Sequence, residues 1–221
     1  MATDGLSILF ILNKIAAFIQ SGGVFMWVIL ITWSFGLAIS IERFFKLART
    51  YDIDGPSFMN ELQRYILSND IQGAIRICSG SLAALPKVLK SGLKRSNQSI
   101  MQIQNAIDAT ALELIPKVEL RLNYLQLIAN ISTLFGLLGT IQGLIQAFAA
   151  LENIDPAQKQ QFLASGISMA MNTTFLGLLS AISIMILHAF LASKSEKIIN
   201  EIDEYSVKLM DLLGTKKEKE I

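Results

Sequence analysis

The sequence predicts an all-α integral membrane protein whose three transmembrane helices continue into long cytoplasmic helical extensions. Three observations predict it. The 221 residues are 52% hydrophobic and only 17% charged, with a mean hydropathy of +0.48, where an ordinary soluble chain carries about a quarter charged residues. Three stretches, Ile15–Ile41, Leu122–Leu151 and Gln160–Ser193, hold no Asp, Glu, Lys or Arg, and each exceeds the roughly 20 residues a helix needs to cross a bilayer. Finally, the basic residues are segregated. Of nineteen Lys and Arg, eleven fall in residues 43–125 and six in 194–221.

These observations place membrane portions at residues 24–44, 126–149 and 168–190. Cytoplasmic loops are enriched in Lys and Arg, so residues 45–125 and 191–221 are expected on the cytoplasmic side. The N-terminus and the segment 150–167, which holds a loop and the start of the third helix, then face the opposite compartment. Trp27 is a candidate interfacial anchor at the outer end of the first span. Residues 1–23 read as an amphipathic helix on the outer interface, ending at Gly22-Gly23. They do not read as a cleavable signal peptide: Asp4 comes early, no basic segment precedes the apolar run, and no Ala-x-Ala site follows it.

The polar portion is patterned. Phe58, Leu62 and Ile66, then Ile71, Ile75 and Cys78, recur at helical spacing and predict a helical hairpin broken near Ser68-Asn69. Ser79-Gly80-Ser81 and Pro86 mark a second turn. Ser99 with Gln102 three residues on predicts a capping box. From there Ile100, Ile103, Ile107, Ala111, Leu114 and Val118 form a stripe leading into the second span. The spacing predicts one helix from 99 to 151, kinked at Pro116. The third span is expected to continue through Ile198, Ile202, Tyr205, Leu209 and Leu212.

Composition also narrows the chemistry. One cysteine, Cys78, and one histidine, His188, supply no metal cluster, and no nucleophile–base pair or phosphate loop is present. An enzyme, a cofactor and a nucleic-acid partner are not expected. The opposite signal lies in the uncharged spans, which are rich in small residues. Ser132, Gly136 and Thr140 recur every four residues, as do Gly139, Gly143 and Ala147. The third span repeats the device with Gly166, Ala170 and Thr174, and with Thr173, Gly177 and Ala181. Lipid is as apolar as leucine, so membrane helices associate through close packing, which small side chains permit. Gly136, Gly139, Gly143 and Gly177 are therefore assigned to helix packing. Asn172, Thr173, Thr174 and Thr140 add polar groups within hydrocarbon, where an amide needs a partner. Their readings are a narrow polar lining or simple hydroxyl packing. No ionisable group except His188 lies in the second or third span, whereas a proton relay through a membrane normally uses ionisable groups. A titrating carboxylate would have to come from another polypeptide.

Three segments resemble one family. "GGVFMWVILITWSFGLAISIERFFKL", with its Ile-Glu-Arg-Phe exit at 41–44, is similar to the first span of MotA/TolQ/ExbB proton channels. "LFGLLGTIQGLIQAF" resembles the second span and "MAMNTTFLGLLSAI" (169–182) the third. Three spans and a large insertion after the first resemble the TolQ/ExbB branch most closely. The resemblance implies a bacterial inner-membrane protein with a periplasmic N-terminus and a cytoplasmic C-terminus. It implies a homopentamer around a central pore, enclosing a dimer of a single-span ExbD/TolR-like partner that brings the membrane aspartate. Thr140 and Thr174 match the family's pore-facing threonines, and proton flow would drive mechanical work. This chain departs from the pattern at Met169, where ExbB-like chains have Glu, and at Thr133 and Ser183, where prolines are frequent. Two other readings stay open: a non-conducting membrane scaffold, and a stand-alone channel or transporter.

Overall fold

The computed structural model describes residues 13–14, 16–151 and 156–219, and all regular structure among them is helical. The order is α1 (Gly23–Lys46), a π-helical turn (Leu47–Tyr51), α2 (Gly55–Leu67), α3 (Ile71–Gly80), α4 (Ala84–Leu93), α5 (Ile100–Glu119), α6 (Leu122–Ala150) and α7 (Pro156–Lys219). Three helices, those containing α1, α6 and α7, are long and apolar enough to cross a membrane. Much of the N-terminal helix expected over residues 1–23 lies outside the described residues, as do residues 152–155 of the segment expected to hold a loop. Of the described remainder, residues 13–14 and 16–21 are helical.

The chain divides into two units. The apolar unit comprises residues up to Ser40 and Asn123–His188; the polar unit comprises Ile41–Leu122 and Ala189 onward. In the apolar unit, Met26, Ile29 and Leu176 form a buried cluster packed by Phe18, Ile19, Leu30, Trp33 and Phe135. Gly23 has φ +67°, a backbone conformation that glycine adopts without steric cost, and it separates residues 16–21 from α1. The Trp33 indole N–H donates to Ser183 Oγ at 2.9 Å. This bond ties α1 to α7, and a buried indole N–H ordinarily finds such a partner. Many large apolar side chains on α6 and α7 remain exposed, Leu134, Ile145, Phe148, Phe175 and Ile186 among them. So much exposed apolar surface suits lipid or further protein.

The polar unit is held by burial. Phe58, Leu62 and Ile66 of α2 are buried with Cys78 of α3, Leu85 and Leu89 of α4, and Ile103 and Ile107 of α5. The hairpin break falls where the spacing predicts it. Asn69 takes φ 63°, and Asp70 caps α3 by accepting from the Gly73 N–H at 2.8 Å. Pro86 marks no turn. It sits in the first turn of α4, where a missing N–H costs nothing because that group has no intrahelical partner anyway. The Ser99–Gln102 capping box is formed in both directions. On α7 the buried stripe runs through Ile198, Ile202, Tyr205 and Leu209 and ends on Leu213 instead of Leu212.

The expected unbroken helix over 99–151 is interrupted, and Pro116 is not the place. Pro116 lies inside α5; the chain breaks at Leu120 (ψ 130°) and Arg121 (φ 65°). The physical reason is Arg43. Its side chain is 1% exposed, and Nη2 donates to the carbonyl oxygens of Lys117 and Val118. The last carbonyls of a helix have no intrahelical donor, so a buried guanidinium at this end both satisfies them and favours the negative end of the helix dipole. Arg121 then pairs with Glu42, which also holds Lys46 at 2.7 Å. The Glu42-Arg43 pair that ends the first uncharged stretch thus fixes the end of α5.

Two outcomes follow from this unit. Arg43→Gln should destabilise the purified protein by about 1.5–3 kcal/mol, the usual worth of hydrogen bonds from a charged group, read as a lower Tm in detergent. An unchanged Tm would remove the capping role. Burial also pushes the Cys78 thiol up to about 11, so little thiolate exists at pH 8. Iodoacetamide should therefore label Cys78 rapidly only in the unfolded chain.

Candidate functional site

The sequence singled out two glycine-rich apolar helices, α6 and α7, and their contact is set by backbone. A Cβ built on Gly177 would lie 2.8 Å from Gly136 Cα and 2.9 Å from the Ser132 carbonyl oxygen. About two turns along, a Cβ on Gly143 would lie 3.0 Å from both the Ala170 amide nitrogen and the Gly166 carbonyl oxygen. A Cβ on Gly139 would lie 2.5 Å from Thr173 Oγ1. All four packing glycines therefore lie in one contact between α6 and α7 of the same chain.

The hydroxyls follow from this approach. Thr174 Oγ1 donates toward the Gly136 carbonyl oxygen across the contact at 3.3 Å and toward its own Ala170 carbonyl at 3.4 Å. The Gly136 carbonyl is also the acceptor that the helix assigns to the Thr140 N–H, four residues on. Of the two threonine hydroxyls, the one on Thr174 reaches that carbonyl; Thr140 engages it through its backbone N–H. The Thr140 hydroxyl donates to Leu137 O at 2.6 Å, and the side chain is half-buried. Thr173 is fully buried against Gly139 and donates to Ala170 O at 2.8 Å.

Asn172 goes elsewhere. Consecutive helical residues point about 100° apart, and the Asn172 amide donates to Ser21 Oγ at 2.9 Å. Phe18 meets Phe175 edge-on at 6.1 Å, and a Cβ on Gly23 would collide with Met169 Cε. Met169 and Asn172, with Phe175, thus seat residues 18–23 on α7. The four candidate polar residues have separate partners: Thr174 reaches the Gly136 carbonyl, Thr140 bonds Leu137 O, Thr173 lies at Gly139, and Asn172 bonds Ser21. His188 is half-buried at the last residue of the apolar unit.

Sequence reasoning missed two groups here. Ser183 accepts the Trp33 N–H, a partner that no local spacing signals. Gln142 Oε1 is shielded and has no hydrogen-bond partner among the described residues, and a buried acceptor ordinarily has one. Its signal was available: it is a carboxamide set between Gly139 and Gly143 in an uncharged span. No group of three or more His, Cys, Asp or Glu is placed to hold a metal among the described residues.

The similarities of the chain agree with this geometry. Residues 81–204 match the profile of the MotA/TolQ/ExbB proton channel family. An ExbB homolog of Methanothermobacter thermautotrophicus is 24% identical over 185 residues, which cover 83% of this chain and 65% of that protein. The chain thus spans just under two thirds of that relative's length. The structure of C. jejuni MotAB is similar in fold, with a TM-score of 0.64 over 96% of this chain and 84% of the other, at 14% identity.

The backbone contact yields a mutational test. Gly177→Ala should force α6 and α7 apart and cost about 1–3 kcal/mol, the range for overpacking a close-packed site. Gly80→Ala, where a Cβ meets nothing within 4 Å, should be tolerated. Thermal unfolding of both variants in detergent reads the difference. Equal Tm values would mean that the contact is looser than described.

Proposed function

The chain belongs to the MotA/TolQ/ExbB proton channel family, and from that premise we propose that it is the multi-span subunit of a stator driven by the proton-motive force. Five copies enclose a dimer of a single-span ExbD/TolR-like partner in the inner membrane. The N-terminus is periplasmic, and residues 45–125 and 191–221 are cytoplasmic, as the segregation of Lys and Arg favours. Proton flow is coupled to mechanical work in the cell envelope.

One observation carries the proposal: the Thr174 hydroxyl reaches across to the Gly136 carbonyl, one helical turn from Thr140, in a span pair that holds no carboxylate. A hydroxyl can donate and accept, so threonines there can serve a protonated or an ionised carboxyl group on a partner, or the water beside it. The chain contributes a polar path with no proton-binding acid of its own, and the partner contributes the aspartate. Gln142 Oε1 is a second acceptor two residues from Thr140.

A scaffold reading is favoured by a specific fact too. Thr140 and Thr173 each donate to a carbonyl of their own helix, as packing threonines do. Two measurements separate the readings. Co-expression with a single-span protein carrying a membrane aspartate, followed by native mass spectrometry, should give five copies of this chain with two of the partner. In vesicles, Thr140→Val and Thr174→Val should each lower proton flux about tenfold or more, on the order of a lost hydrogen bond to a charged group, while the complex stays intact. Undiminished flux in both variants would leave the threonines a packing role only. A homo-oligomer that retains no partner would sink the stator reading.

A further inference from the structure

The polar unit begins with side chains that neither its core nor the proposed stator function uses. Phe44, Phe45 and Phe190 are 45%, 51% and 57% exposed. They are clustered rather than scattered. Phe44 stacks on Phe190 with ring centroids 6.2 Å apart and planes at 27°, and meets Phe45 edge-on at 5.9 Å. The π-helical turn begins at Leu47, and the Arg49 guanidinium carbon within it lies 5.5 Å from the Phe45 ring centroid. Short π segments recur at functional positions in helices.

The charges beside these rings are unequal in their partners. Lys46 and Arg121 share Glu42, and Lys194 holds Asp52. Exposed Arg49 has no carboxylate partner among the described residues; its recorded contact is the Phe45 ring face. At this corner the cations Arg43, Lys46, Arg49, Arg121 and Lys194 outnumber the carboxylates Glu42 and Asp52.

Position along the chain indicates what covers the cluster. Phe44 and Phe45 follow the uncharged stretch that ends at Ile41 after only the Glu42-Arg43 pair, and Phe190 lies near the end of the one that closes at Ser193. The rings therefore stand where hydrocarbon-spanning sequence stops, with the free cation one helical turn further on. Aromatic side chains concentrate at that depth, and a basic residue just beyond it meets the headgroups of anionic lipids.

We propose that Phe44, Phe45, Phe190 and Arg49 form a binding surface for an anionic phospholipid. The rings cover the upper acyl chains, and the Arg49 guanidinium takes the phosphate, with Lys46 beside it. Arg is suited to the task, since its planar fork matches two phosphate oxygens at once. The surface is independent of proton conduction.

The test uses the full chain, purified, delipidated and titrated with either dioleoylphosphatidylglycerol or dioleoylphosphatidylcholine, with bound lipid counted by native mass spectrometry. Phosphatidylglycerol should bind preferentially, and Arg49→Gln should weaken it about fivefold, the worth of one basic residue at an anionic surface. Arg95→Gln removes the same charge from an exposed turn of the polar unit and should leave binding unchanged. Phe45→Leu keeps apolar bulk while removing the ring, so it tests the surface even if Arg49→Gln folds poorly. Three results would overturn the proposal: equal binding of the two lipids, equal loss from Arg95→Gln, or unchanged binding in both Arg49→Gln and Phe45→Leu. A change of oligomeric state on rim mutation, with lipid binding intact, would assign the face to a second copy instead.

Discussion

The apolar unit depends on the absence of two methyl groups. Gly136 and Gly177 let the backbones of α6 and α7 touch, and the polar contact between these two helices requires the distance they set. Only at this separation does the Thr174 hydroxyl reach a carbonyl of the facing helix, at 3.3 Å, and only then does Thr173 fill the space over Gly139. Water does not push these helices together, since their surroundings are as apolar as their side chains. Glycine costs about 1 kcal/mol in a helix relative to alanine, and here that cost is offset by backbone-to-backbone contact along several turns. The softest helix formers sit in the most apolar segment because contact, not helix propensity, decides its packing.

The polar unit solves a different problem. Its helices are short, ten to twenty residues for α2–α5, and an isolated helix of that length is marginal in water. Burial of one face stabilises each of them. Where a helix end is itself buried, burial alone fails, because orphan carbonyls have lost their water. Arg43 answers that need at the end of α5: its Nη2 donates to the carbonyl oxygens of Lys117 and Val118, while its buried Nε has no hydrogen-bond partner among the described residues. Closeness of carbon governs one unit, and satisfaction of polar groups governs the other.

Much of this was legible in the sequence because it is local. An uncharged run long enough to span, a capping box, and a Ser-Asn break between two periodic stripes each announce themselves within a few residues. The break at Leu120–Arg121 does not. Leucine and arginine are both good helix formers, and the cause lies on another helix, far back in the chain. For the same reason the phase of the α7 stripe slipped from Leu212 to Leu213, since which face is buried depends on what packs against it. In the site, periodicity placed the glycines on one stripe, while family resemblance supplied Thr140 and Thr174. Neither could place Asn172 against Ser21, a partner 151 residues away. Three adjacent polar residues read as one lining in sequence, yet a helix distributes them around its circumference.

The guanidinium that ends α5 has an evolutionary consequence. Because Arg43 grips the last carbonyls of α5 directly, the alignment between the end of α1 and the start of α6 does not depend on the length of chain between them. The segment from Asp52 to Ser99 could be expanded, most readily at the turn that carries exposed Leu82, for little more than the slowly growing entropy of a longer loop. A lineage can therefore enlarge the region between its first two spans without disturbing how those spans are joined.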